Sequence, residues 1–132
     1  LDKLIIILKE KSIKNIKLPV SAPFHCSLMS KATNIMSEEL NKLSFLQSEN
    51  KLISNVTANE IRDTDELKDL LIKQIENRVR WRESVINMIN NDVNHFIEIG
   101  PGKVLSGLVK RINREVKIST INNQGDIESL EI

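Results

Sequence analysis

The side chain in this sequence best suited to moving a proton is His25, because imidazole is the one group whose ordinary ionisation lies near neutrality. It follows Ser21-Ala22-Pro23-Phe24. Pro23 has no N–H and biases Ala22 toward extended geometry, so the segment reads as a turn out of an extended run. A long amphipathic stretch begins near Leu28. A loop at such a junction exposes a side chain while the flanking elements hold it still. Cys26 next to it suggests a thiolate nucleophile. Adjacent side chains at the end of a strand diverge, however, so a small packed thiol is the plainer reading.

Three other groupings invite a chemical reading. His25, Cys26 and His95 lack the short spacings of a metal site, so no metal is expected. His95 reads as a strand residue. Gly100-Pro101-Gly102-Lys103 stands between a strand and a helix, where free backbone N–H groups attract anions. It has the spacing of neither a P-loop nor a dinucleotide fingerprint, and a tight turn needing glycine dihedrals explains it as well. Trp81 among Arg78, Arg80 and Arg82 suggests a stacking and phosphate patch, or a core tryptophan at a helix start.

The elements that position these groups follow from periodicity. Leu4, Ile5 and Leu8 predict a short helix from Asp2 to about Lys11, with Asp2 in its first turn and a strand through Ile5, Ile6 and Ile7 competing. Residues 16–20 alternate as a strand. Leu28, Ala32, Ile35, Met36, Leu40 and Leu43 form one helical face. A strand is expected at 52–56, followed by the turn Thr57-Ala58-Asn59. A helix then begins at Asp63 or Thr64 and carries Leu67, Leu70, Leu71 and Ile75. Trp81, Val85, Met88 and Ile89 line the next helix, which Asn90-Asn91-Asp92 ends. Val93 to Ile99 alternates as a strand with Val93, His95, Ile97 and Ile99 on one face. A helix follows from Lys103 to about Arg111, then a last strand from Val116 to Ile121 and a polar tail. Strands and helices in alternation predict an α/β fold with a parallel sheet.

Composition limits the function classes. With 19 Lys and Arg against 18 Asp and Glu, interspersed, the sequence has no basic block for nucleic acid or an anionic membrane. The one cysteine excludes an internal disulfide and suits a reducing cytoplasm. The apolar run from Leu4 to Leu8 is far too short to span a bilayer. The chain begins at Leu1 rather than Met, which suggests a fragment or a processed piece.

Four motifs line up in order. P-F-H-C-S-L-M at 23–29, S-N-V at 54–56, K-Q-I-E-N-R-V-R-W at 73–81 and F-I-E-I-G-P-G-K-V-L-S-G-L at 96–108 are specific in combination. Over Lys14 to Asn122 the chain resembles the C-terminal part of the malonyl-CoA:acyl carrier protein transacylase family.

The resemblance implies an α/β fold in which a hydrolase-like parallel-sheet core is preceded by the last helix and strand of a ferredoxin-like subdomain. Residues 1–21 would belong to that subdomain and 22–132 to the core. It also implies transfer of malonyl from coenzyme A to the pantetheine thiol of acyl carrier protein in fatty acid biosynthesis, with no cofactor beyond these substrates. His25 matches the catalytic base, oriented by the backbone carbonyl at Gln74. Asn55 and the turn Gly100, Pro101, Gly102 match positions that shape the site. No Gly-X-Ser-X-Gly elbow occurs in the sequence, so the nucleophile, the carboxylate-binding arginine and the oxyanion donors are expected upstream. A separate N-terminal half is then an expected partner, and the sheet is expected to expose apolar edges. A noncatalytic remnant or protein-binding partner, and a polyketide-synthase-type acyltransferase domain, are the alternatives.

Overall fold

The computed structural model describes residues 1–17 and 20–130. Helix α1 spans Asp2–Glu10, and a single 3₁₀ turn at Ser27–Met29 leads into α2, Ser30–Asn41. Then come α3, Thr64–Lys73; α4, Trp81–Asn90; strand β1, His95–Ile99; α5, Val104–Ile112; β2, Lys117–Ile121; and α6, Gln124–Glu128.

The two strands pair in parallel, His95 opposite Lys117 and Ile99 opposite Ile121. Parallel neighbours require a crossover, and α5 supplies it. The core lies where α4 and α5 meet this sheet. Val85 is wholly buried and packs with Val109 and Val116, ringed by Trp81, Met88, Ile89, Phe96, Ile112 and Ile118. Full burial of a valine contributes about 1.5–3 kcal/mol, so this cluster anchors the fold. The stripe expected on α4 is the one observed, and Trp81 is a core residue. On α5 it is Val109 that is buried, while Val104 and Leu105 are exposed.

Capping sets the helix ends. Asp63 Oδ1 accepts from the Glu66 N–H at 2.8 Å, while Glu66 reaches back to the Arg62 N–H, also at 2.8 Å. That reciprocal pair starts α3 at Thr64. Asn123 and Asp126 form the same device at α6, a helix that the tail's polarity concealed.

The sequence misreads the chain in several places. Residues 13–17 and 20 form no strand, and Leu18 and Pro19 of the expected 16–20 strand lie outside the described residues. A strand is stable only against a hydrogen-bonded neighbour, and none pairs with this stretch among the described residues. At 52–56 the expected strand shrinks to one antiparallel bridge, Ile53 to Glu60, because its only backbone partner among the described residues is the short return from Asn59 to Ile61. On α2 the expected inward stripe is largely outward, since Leu28, Ile35, Met36 and Leu43 are exposed. On β1 it is Phe96 that packs on the core, while Ile97 and Ile99 stand exposed. Helix–sheet packing covers one face of β1 and leaves its more apolar alternate unclad. Exposed apolar edges were expected, and the apolar surface observed is a bare face of β1.

Candidate functional site

His25 has φ +59°, in the left-handed region that a non-glycine residue rarely adopts. Phe24 N–H donates to the Ala22 carbonyl at 2.9 Å just before it, and Cys26 is extended just after it. This kink swings the imidazole across to the end of α3. Its Nδ1 lies 2.9 Å from the Gln74 carbonyl oxygen and 3.1 Å from that of Asn77. Both partners are acceptors only, so Nδ1 carries the proton. In the neutral ring Nε2 is then the bare nitrogen. His25 is exposed.

Gln74 is the C-cap of α3, and Asn77 lies three residues beyond it in the turn that follows. Helix C-termini leave carbonyls unpaired and carry partial negative charge, so they suit an imidazolium. Such an end can do electrostatically what an aspartate does in a Ser-His-Asp triad. Gln74 is fixed from its other side as well, since its Oε1 accepts from Asn55 Nδ2 at 3.1 Å.

Asn55 sits in a tight hairpin whose backbone is pinned at many points. Buried Ser54 Oγ accepts from the N–H groups of Val56 and Thr57 at 3.1 and 3.3 Å. From the start of α4, Arg80 N–H donates to the Asn55 carbonyl at 2.8 Å and Arg80 Nη1 to the Thr57 carbonyl at 3.1 Å. Asn87 Nδ2 donates to the Ala58 carbonyl at 2.7 Å. The core helix α4 therefore holds the hairpin, the hairpin holds Gln74, and Gln74 holds His25.

Other sequence candidates take different places. The Cys26 thiol donates to the Pro23 carbonyl at 3.2 Å, so it is bonded to its own turn rather than to His25. His95 Nε2 meets Ser119 Oγ at 2.8 Å across the two strands, half-buried. Arg80 is committed to the hairpin and faces Glu83 at 3.5 Å, and Trp81 packs against the core, so these two are placed for structure rather than for stacking.

The Gly100-Pro101-Gly102 turn has φ +134° at Gly100 and +97° at Gly102, conformations that call for glycine. Its anion-cradling amides are already occupied. Gly102 N–H donates to Asn122 Oδ1 at 2.7 Å, and the Leu105 and Ser106 N–H groups donate to Glu98 at 3.0 and 2.7 Å. The Ser106 hydroxyl and these amides hold the Glu98 carboxyl below the usual carboxylate range. The helix N-terminus has thus taken a carboxylate from the chain itself, which removes the phosphate reading. Among the described residues no hydrogen bond joins this turn to His25, Gln74 or Asn55.

Sequence reasoning missed Asn77 and Glu98. An asparagine just past a helix end is a C-terminal signal. Glu98 carried no local signal, because its partners lie seven and eight residues away.

Among the described residues no group of three or more His, Cys, Asp and Glu is gathered to hold a metal ion, and no helix is long and apolar enough to cross a membrane. No family model matches the chain. It is 41% identical over 121 residues to the malonyl CoA-acyl carrier protein transacylase of Bacillus subtilis (strain 168), covering 91% of this chain and 38% of that protein. The crystal structure of malonyl CoA-acyl carrier protein transacylase from Clostridium perfringens superposes with a TM-score of 0.85 at 38% identity, over 97% of this chain and 40% of that one. A malonyl-transacylase solved in complex with a type II PKS acyl-carrier protein superposes at 0.83 and 30% identity, over 92% of this chain and 40% of that one. The chain thus spans about two fifths of the length of the relatives it matches. Nearly the whole chain aligns in both sequence and fold with the C-terminal part of malonyl CoA-acyl carrier protein transacylases, and its architecture is that of the C-terminal part of their α/β hydrolase-like acyltransferase fold.

Proposed function

We propose that this chain supplies the histidine of a serine–histidine dyad that transfers malonyl from coenzyme A to the pantetheine thiol of acyl carrier protein. The observation that carries the reading is His25 Nδ1 held by the Gln74 and Asn77 carbonyls at 2.9 and 3.1 Å, which leaves Nε2 to accept a proton. The nucleophilic serine belongs to the part of the family's length that this chain does not span. His25 Nε2 removes the serine proton as the hydroxyl attacks the thioester carbonyl. The imidazolium so formed is stabilised by the two carbonyls. As the tetrahedral intermediate collapses, the C–S bond breaks and His25 returns its proton to the departing coenzyme A thiolate. In the second half His25 deprotonates the pantetheine thiol, which attacks the malonyl-serine ester, and the proton goes back to the serine oxygen.

Asn55 and Gln74 are read as positioning groups. The Gly100, Pro101, Gly102 turn is read as part of the rim, its amides filled by Asn122 and its conformation set by glycine. Residues 1–21 are assigned to the end of a small ferredoxin-like subdomain and 22–132 to the large core. The exposed Ile97, Ile99, Leu28 and Ile35 are then the surfaces that the rest of the family fold covers. The working enzyme is placed in the cytoplasm, in fatty acid biosynthesis, with acyl carrier protein as partner. Support for that partner comes from the related malonyl-transacylase solved with an acyl-carrier protein.

The test combines this chain with the remaining family segment, as two pieces or as one polypeptide, and follows malonyl transfer to acyl carrier protein. His25→Ala is expected to lower the chemical step by on the order of 10² to 10⁴. Absence of transfer in every combination, with acyl carrier protein still bound, would instead leave a noncatalytic binding partner.

A further inference from the structure

We infer that the Asn77 side chain is a positioning residue for His25, an inference that rests on the reading of His25 as the base. The turn after α3 has to aim two carbonyl oxygens at one nitrogen, and past the helix end the backbone bonds loosen, with the Ile75 and Glu76 N–H groups 3.3 Å from the Ile72 and Lys73 carbonyls. The Lys73 carbonyl accepts from the N–H groups of Glu76 and Asn77 at 3.3 and 3.1 Å, the first of them long. The short bond to it comes from the Asn77 side chain, whose Nδ2 donates at 2.7 Å. Asn77 therefore folds its amide back over the last turn of α3 and presents its own carbonyl, at 3.1 Å, to His25 Nδ1.

The alternatives for this closure are few. The Lys73 side chain is engaged elsewhere, with Asp69 at 2.6 Å, so only its backbone matters here. Gln74 is held through Asn55, which orients residue 74 but makes no bond to residue 77. An alanine at 77 would keep only the 3.1 Å backbone bond to Lys73 and leave the second carbonyl less firmly aimed, an entropic cost that a side-chain-braced turn avoids. An aspartate would keep the shape but lose the donor and set a carboxylate against the Lys73 oxygen.

The test is the tautomer of His25, read from the ¹⁵N shifts of its two ring nitrogens in the full chain, alongside kcat and KM of the reconstituted transferase. The wild type is expected to show Nδ1–H and a bare Nε2. Asn77→Ala and Asn77→Asp are expected to raise the Nε2–H population and to lower kcat on the order of tenfold, the worth of one net hydrogen bond, with KM little changed. Asn77→Ser is expected to restore both, because a hydroxyl can donate to the carbonyl four residues back. An unchanged tautomer in a folded Asn77→Asp chain, or equal losses from Ser and Ala, would overturn the inference. Failure of the wild type to transfer malonyl would instead sink the reading of His25 as the base. The tautomer series would still decide the role of Asn77.

Discussion

The Nδ1 atom of His25 lies 2.9 Å from the backbone carbonyl oxygen of Gln74, a residue 49 positions further along the chain. Because the contact is to backbone, the identity of the Gln74 side chain enters only through its bond to Asn55.

Gln74→Ala and Asn55→Ala are accordingly expected to cost about the same, roughly 0.5–1.5 kcal/mol of stability each, since each removes the same bond. The double variant should cost little more than either alone, a coupling that a urea-unfolding double-mutant cycle measures. Additive losses would show that the two side chains act independently. In the reconstituted transferase Gln74→Ala should lower activity far less than His25→Ala.

The left-handed backbone at His25 gives a second expectation. A residue with a Cβ is strained there by about 1–2 kcal/mol relative to glycine. His25→Gly should therefore equal or exceed His25→Ala in thermal stability, against the usual entropic penalty of glycine, while both lack the base and are equally inactive. Thermal melts of the two variants check the order.

Glu98 sets a pH dependence. Its folded-state ionisation is held low by the Ser106 hydroxyl and by the amides of Ser106 and Leu105. A group whose folded pKa is depressed contributes stability above its unfolded pKa, about 4.3 for glutamate, and loses it as pH falls through the lower folded value. Glu98→Gln should thus be less stable than the wild type near neutral pH, and the difference should close in acid. Melting both proteins across that range tests it, and a gap independent of pH would remove the electrostatic account.

Much of this protein was legible in its order of residues. The α4 stripe from Trp81 to Ile89, the β1–α5–β2 crossover and the glycine turn all rest on local periodicity and local backbone demand. Those act over a few residues and need no partner. His25 and Gln74 were legible as well, but only through motifs taken in combination.

What the sequence could not decide is what depends on a partner. Residues 52–56 alternate like a strand, yet alternation supplies no partner beyond the short return at Asn59 to Ile61, so only the Ile53–Glu60 bridge forms. The faces of α2 and β1 were assigned by apolar content, whereas helix packing covered Phe96 and left Ile97 and Ile99 bare. The anion-ready start of α5 was filled by Glu98, seven residues before Leu105, a match that only the folded strand and helix bring together. The sequence by itself determined the helices α1 to α5, the strands β1 and β2 and the imidazole that stands before α2. The tertiary structure decided which of its nitrogens is free, because that follows from two carbonyls that meet His25 only after α4, the hairpin and the end of α3 have packed.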